Sequence, residues 1–420
     1  MKKILNINKV SGVYQAVSSK SYGHRIVIAS SLARAKSKVH NIDLSEDILA
    51  TIDAFKCLGV KFFYNSKTRI LDIDSKEIGK IKKATINVKE SGSSLRFLIP
   101  ILMLFEKKFI VEGSSFLMER PMDTYFNIFK KINFNKALNE ANKKMYLVKG
   151  PLKGNEYIVS GQKSSQFISG MLFALPLSEN DSSIIIKDEL ESKNYVDMTL
   201  KVLKDYGIKY DLKKNKINIP RKQKYKKRDY TVEGDYSQAS FFFAAAALAG
   251  DLTIKGLNME SLQGDKEIVN ILREMGVVIL KDKYFIIKKA ENLKALHIDI
   301  KNIPDLAPIL AVLLSFSSGE GSLYNIDRLK YKESNRIISV INLINSLGGK
   351  ASKEGNKIII KGFKRLKGGK VNSYNDHRIA MAASVASLRC ENSVIIEGAE
   401  HVNKSYPDFY KDLDSIVFKN

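Results

Sequence analysis

The chain has 420 residues, 44% of them hydrophobic, which suits packed domains and excludes a disordered chain. Its formal net charge of +24, from 69 Lys and Arg against 45 Asp and Glu, points to anionic partners such as nucleic acid, a membrane surface or phosphorylated metabolites. Two cysteines exclude a disulfide framework, and no apolar run approaches the ~20 residues that cross a bilayer.

The first residues, Met1-Lys2-Lys3-Ile4-Leu5-Asn6, are basic but lack the apolar stretch of a signal peptide. A cytoplasmic protein without membrane attachment is expected, with Cys57 and Cys390 as buried, reduced thiols. Ile4 to Ile7 and Gly12 to Tyr14 read as strands. Six times along the chain a small or polar residue then opens an apolar helix. Marked by Ser21, Ser94, Ser165, Ser237, Asp305 and Asp376, these starts are spaced by 73, 71, 72, 68 and 71 residues. A second helix in each repeat tends to end at glycine: Gly59, Gly207, Gly276 and Gly348 fit, with Asn133 standing in once. Paired β-type runs with polar turns follow. Val277 to Leu280 and Tyr284 to Ile287, joined by Lys281-Asp282-Lys283, form the clearest hairpin.

The pattern predicts an α/β protein of six βαβαββ repeats, three to a domain. The sixth repeat runs out near Ile416 without a hairpin, so the N-terminal strands are expected to close it. That puts both chain ends in one domain, residues 1–16 with 233–420, and residues 17–232 in an inserted one.

The unusual polar residues gather at helix starts, where free backbone N–H groups and the positive dipole end favour anions. Lys20, Ser21 and Arg25 open the first repeat's helix, and Gly92, Ser93, Ser94 and Arg96 its counterpart. Ser164, Ser165 and Gln166 open the third, Asp305 the fifth, and Asp376-His377-Arg378 the sixth. Second helices begin near Arg120-Pro121, Lys193, Lys332-Glu333 and Lys404. Each motif alone is also a plain structural feature: a cap, a glycine turn, or an arginine paired with Glu119. Lys332 and Arg336 are expected to share a helix face at i,i+4, an arrangement that favours a bound anion. The run Arg221 to Arg228 reads as a solvated segment, since no RNA-binding signature accompanies it.

In this order and spacing the sequence resembles the enolpyruvyl transferases over nearly its whole length. The matching stretches include Ser19-Lys20-Ser21, Ser91-Gly92-Ser93, Glu119-Arg120-Pro121, Ser164-Ser165-Gln166, Gln263-Gly264-Asp265, Ile303-Pro304-Asp305, Lys332-Glu333-Ser334, Asn375-Asp376-His377-Arg378 and Lys404-Ser405. The resemblance implies an inside-out α/β barrel in each of two domains, with the active site in the cleft between them. It implies transfer of the enolpyruvyl group of phosphoenolpyruvate to the 5-hydroxyl of shikimate 3-phosphate. Asp305, Glu333 and Lys20 would handle protons. Shikimate 3-phosphate would meet Lys20, Ser21, Arg25, Ser164, Ser165, Gln166, Ser192, Tyr195, Asp305 and Lys332. Phosphoenolpyruvate would meet Lys20, Gly92, Arg120, Gln166, Arg336, Arg378 and Lys404.

No cofactor and no metal are implied, nor a nucleic-acid or membrane partner, and a monomer is expected. The seven cations of this set and Arg96, against Asp305 and Glu333, leave +6, which suits two substrates together carrying about −5 to −6. The alternative within the family, transfer to UDP-N-acetylglucosamine, generally uses a cysteine on the loop before Arg120, and Lys107 to Met118 has none. An RNA-processing protein with similar repeats is the alternative outside it.

Overall fold

The computed structural model describes residues 1–7 and 9–417. The chain divides into two compact units, Met1–Val17 with Gly234–Asn420, and Ser18–Glu233. Each has its own hydrophobic core. Among the described residues no helix is long and apolar enough to cross a membrane. Cys57 and Cys390 are free thiols, half-buried rather than buried as expected.

Repeated βαβαββ units build both halves. The repeat at residues 156–219 shows the plan. Strand Glu156–Ser160 leads into helix Ser165–Ala174, which returns the chain to strand Ser182–Lys187, parallel to the first. Helix Lys193–Asp205 follows, then the antiparallel hairpin Asp211–Lys213 and Lys216–Ile219, which joins the same sheet. Alternation of apolar and polar residues along these strands buries one face against the helices.

The first helix of each repeat is the inner one. Tyr236–Ala249 is buried along all 14 residues, and Ala307–Ser315 along all nine. Their sequences are apolar on every side, so only a central position removes them fully from water. The second helices are amphipathic and cover the outside. Four of them stop at Gly59, Gly207, Gly276 and Gly348, whose φ angles of +98°, +78°, +95° and +83° are open to glycine and strained for other residues. Asn133 does not play this part. Helix Asp123–Ile128 ends at Phe129, and Asn133 sits in the following turn, where its side-chain amide donates to the Lys149 carbonyl.

The N-terminal segment serves two sheets. Lys2–Leu5 pairs antiparallel with Val394–Glu397 and so completes the sheet of the sixth repeat, which has no hairpin. Gly12–Gln15 directly precedes the first repeat's helix, yet it lies parallel to Leu252–Lys255 in the sheet of the fourth repeat. Tyr230–Thr231 directly precedes the fourth repeat's helix, yet it lies parallel to Lys36–His40 in the sheet of the first. The two repeats have exchanged their opening strands. The register of the repeats in sequence therefore differs from their composition in space.

The glycine stops provide a test of packing against backbone strain. A Cβ on Gly59 would come 2.6 Å from the Glu77 carbonyl oxygen, whereas one on Gly276 meets nothing nearer than 3.9 Å. Gly276→Ala should cost about 1 kcal/mol for the positive φ alone. Gly59→Ala should cost more, by a further ~1–3 kcal/mol. Urea denaturation of the two variants checks this, and equal losses would remove the backbone contact as a cause.

Candidate active site

In the unit of residues 18–233, three inner helices begin with serine caps. Ser19, Ser91 and Ser164 each accept a bond from a backbone N–H of the first turn. A buried chain of hydroxyls underlies two of these starts. His24 Nδ1 contacts Thr51 Oγ1 at 2.8 Å, Thr51 contacts Ser94 Oγ at 2.7 Å, and Ser94 bonds Ser91 Oγ at 2.8 Å. Burial pushes the His24 imidazole down to about 3, so the ring is neutral.

Lys20 is the first helical residue, and its Nζ donates to Asp47 Oδ2 at 2.8 Å. Asp47 was not among the sequence candidates, since it lies inside the next helix, Glu46–Cys57. Arg25 is buried. Its Nε donates to Thr199 Oγ1, its Nη2 to the Tyr195 carbonyl and its Nη1 to the Ser21 carbonyl. Burial lowers it to about 10, opposed by Tyr195 and Tyr22. Arg25 thus ties helix Lys20–Leu32 to helix Lys193–Asp205, where Ser192 and Tyr195 lie. Ser192 caps that second helix with φ 54° and ψ 41° and is buried, a left-handed conformation that costs a non-glycine residue on the order of 1 kcal/mol.

Gln166 links two other starts. Its Nε2 donates to Ser93 Oγ at 2.9 Å, and its Oε1 accepts from Arg96 Nη1 at 2.8 Å. Ser164 caps the helix on Gln166 N, while Ser165 is buried behind it. Arg120 closes the short helix Ser115–Glu119 rather than opening a second helix. Glu119 pairs with Lys144, not with Arg120 as the plain structural alternative has it. The Arg120 guanidinium approaches Gly92 so closely that a Cβ there would sit 2.7 Å from Nη1. Arg96 Nη1 would be 3.4 Å from the same point.

In the other unit the candidates converge on Arg336, which is fully buried. Its Nε donates to Asp376 Oδ2 at 2.8 Å and its Nη1 to Asp305 Oδ1 at 2.7 Å. Its Nη2 donates to Glu333 Oε2 at 2.6 Å and to Asp376 Oδ1 at 3.3 Å. Four of its five N–H groups are therefore engaged by three carboxylates. Asp376 caps helix His377–Ala386 on Arg378 N and accepts from Ser334 Oγ.

Asp305 is not a helix cap, because helix Ala307–Ser315 is capped by Leu306. Its carboxylate instead collects cations. Lys332 Nζ lies 3.2 Å from Oδ1, and Arg378 Nη2 lies 3.5 Å from Oδ2. Burial opposes ionisation of Asp305, but Arg378, Lys332 and Arg336 outweigh it and hold the carboxyl well below the usual range. Burial lowers Lys332, with Asp305 opposing. Lys332 precedes helix Arg336–Ser346, so it and Arg336 meet through Asp305 rather than along a helix face. Lys404 is buried at the end of the turn Ala399–Lys404, before helix Phe409–Ile416 and not within it. A further carboxylate, Asp265, is buried in the turn Gly264–Glu267, and its Oδ1 has no hydrogen-bond partner among the described residues.

Each unit therefore gathers cations at or near its helix starts, with Arg120, Lys332 and Lys404 on the neighbouring turns. Asp47, which the sequence does not single out, and Asp376, which it marks only as a helix start, lower the expected excess from +6 to +4. No local signal marks either as an ion-pair partner, because that role is defined only by the cation that folds against it.

A family model described as EPSP synthase (3-phosphoshikimate 1-carboxyvinyltransferase) matches residues 4–413. The chain is 43% identical to the 3-phosphoshikimate 1-carboxyvinyltransferase of Clostridioides difficile, over 97% of this chain and 95% of the relative. It is 42% identical to the protein of the same name from Clostridium acetobutylicum, over 95% and 93%. Its fold is similar to the solved structure of EPSP synthase from Acinetobacter baumannii, with a TM-score of 0.82 at 24% identity over 99% of this chain and 98% of that one.

Asp265 sets a pH dependence. Burial pushes its carboxyl up to about 6 from 3.8, Asp305 adds to the rise, and Arg378 opposes it. The folded state keeps a proton that the unfolded chain gives up, so this group stabilises below pH 3.8 and loses that contribution as pH rises through 6. Asp265→Asn should be more stable than the wild type above pH 6, by up to ~3 kcal/mol, with the difference vanishing below pH 4. Denaturant midpoints across pH 4 to 8 measure it.

Proposed function

Since the chain belongs to the EPSP synthase (3-phosphoshikimate 1-carboxyvinyltransferase) family, we propose that Asp305, Glu333 and Lys20 carry the proton transfers of its reaction. That reaction moves the enolpyruvyl group from phosphoenolpyruvate to the 5-hydroxyl of shikimate 3-phosphate and releases phosphate, in the pathway to chorismate and aromatic amino acids. The hydroxyl oxygen adds to the central carbon of phosphoenolpyruvate, its proton passes to a base, and the methylene carbon gains a proton. Phosphate then leaves as a methyl proton is taken back. One group must accept first and another donate first.

The observation that carries the reading is the Asp305 carboxylate held by Lys332, Arg336 and Arg378. So strongly stabilised an anion is a poor base in the resting protein. Substrate phosphates and carboxylates compete for the same three cations. As they do, the Coulombic hold on Asp305 weakens and its proton affinity rises. Basicity is then delivered when substrates are in place.

Glu333 reaches the same network from Arg336 Nη2 and supplies the second proton-transfer group. Lys20, poised on Asp47, is the third. Shikimate 3-phosphate is assigned to Ser21, Arg25, Ser164, Ser165, Gln166, Ser192 and Tyr195 together with Lys20, Asp305 and Lys332. Phosphoenolpyruvate is assigned to Lys20, Gly92, Arg120, Gln166, Arg378 and Lys404. Arg336 joins this second set through the one N–H on Nη1 that the carboxylates leave.

Phosphate release that requires both substrates tests the activity. Asp305→Asn should lower kcat by roughly 100-fold or more while changing the Michaelis constant for shikimate 3-phosphate far less. Loss of binding and stability together would make Asp305 a structural anchor of Arg336.

Gly92→Ala should act through Arg120. The added methyl displaces Nη1, so the Michaelis constant for phosphoenolpyruvate should rise and that for shikimate 3-phosphate should hold. Equal rises for both substrates would mean that the helix start itself had moved.

A further inference from the structure

We propose that the unit carrying both chain ends has a second anion site, built for a small molecule bearing clustered carboxylates or phosphates, at the end of its inner helices remote from Asp305. The three inner helices, Tyr236–Ala249, Ala307–Ser315 and His377–Ala386, pack on one another, and the Asp305, Asp376 and Arg378 cluster lies at their N-terminal ends. Leu248, Phe316 and Leu388, at their C-terminal ends, meet in the floor of a concavity of about 680 Å³. That volume suits a small ligand and is too confined for a nucleic-acid surface.

Its walls are cationic. Lys289, Lys364, Arg365 and Arg389 line it, against the single acid Glu291. Helix C-termini attract cations, and this accounts for part of the set: Arg389 Nε donates to the Leu248 carbonyl and its Nη2 to the Ala290 carbonyl. Three helix ends supply about −1.5 between them, which leaves the lining with an excess of about +1.5. None of the four cations forms an ion pair among the described residues. Burial lowers the affinity of Arg389 for its proton, and Arg365 lowers it further. Two guanidiniums line one concavity with Glu291 as its single acid, and a multivalent anion would relieve their repulsion.

The mouth is rigidly built. Gly362 N donates to the Gly319 carbonyl and Phe363 N to the Ser315 carbonyl. A Cβ on Gly362 would fall 1.9 Å from the Ser317 carbonyl oxygen, so the two segments approach as only glycine allows. Phe316 and Phe363 give an apolar wall for a ligand's carbon skeleton.

The test is titration calorimetry of the whole protein at low ionic strength with citrate and with pyrophosphate, in the presence of saturating shikimate 3-phosphate. The wild type should retain a binding event for at least one of the two anions. The Lys364→Gln, Arg365→Gln double variant, altered only at exposed positions, should weaken that event at least tenfold while keeping kcat and both Michaelis constants. Lys289→Gln serves as a second variant, and melting temperatures establish that each is folded. Citrate alone binding would assign carboxylate chemistry, and pyrophosphate alone would assign phosphate. No such event in the wild type, or one of equal strength in the folded variants, overturns the proposal.

Discussion

A buried guanidinium that answers to three carboxylates organises the unit carrying both chain ends. Arg336 lies beyond solvent and bonds Asp305, Glu333 and Asp376, which come from a pre-helical turn, from just before its own helix and from the cap of helix His377–Ala386. A lone buried charge on any of these groups would cost several kcal/mol. Together they satisfy one another, and in doing so fix where each carboxylate points. Burial acts against the Arg336 charge, yet Asp376, Glu333 and Asp305 outweigh it and raise its proton affinity well above the ordinary value. Arg336 therefore keeps its charge, and Asp305 stays an anion whose basicity depends on what its cations are doing.

The other unit solves a related problem with neutral groups. Its helix starts are held by serine caps resting on the His24, Thr51, Ser94 and Ser91 chain. Hydroxyls can donate and accept, so they link to one another without placing charge beneath these helix starts. The cations stand above it: Lys20 on Asp47, Arg96 on Gln166, and Arg120 against Gly92. One unit balances charge with charge beneath its helix starts, whereas the other rests two of its starts on neutral groups.

Family membership settles the reaction, and the coordinates add how the resting protein stores the required charges. The cations do not wait as bare charges. Lys20, Lys332, Arg336 and Arg378 all rest on carboxylates, which limits their mutual repulsion.

The sequence by itself determined the repeats, because hydrophobic periodicity, caps and terminal glycines are local physics. Six inner helices, the four glycine stops and the hairpin around Lys281-Asp282-Lys283 all follow from neighbours in the chain. It also singled out the cationic residues, although Arg120 closes a short helix and Lys404 ends a turn instead of opening helices. Only the tertiary structure decided which partners those residues have. Asp47 and Asp376 acquire their meaning from Lys20 and Arg336, tens of residues away, and Asp265 from its burial near Asp305. Lys332 and Arg336 looked like helical neighbours by spacing, but a turn intervenes and a shared carboxylate joins them instead. The exchanged strands Gly12–Gln15 and Tyr230–Thr231 were equally beyond local reading. A strand's pairing partner is fixed by which sheet edge lies open when the chain folds, and no property of its own four or five residues records that.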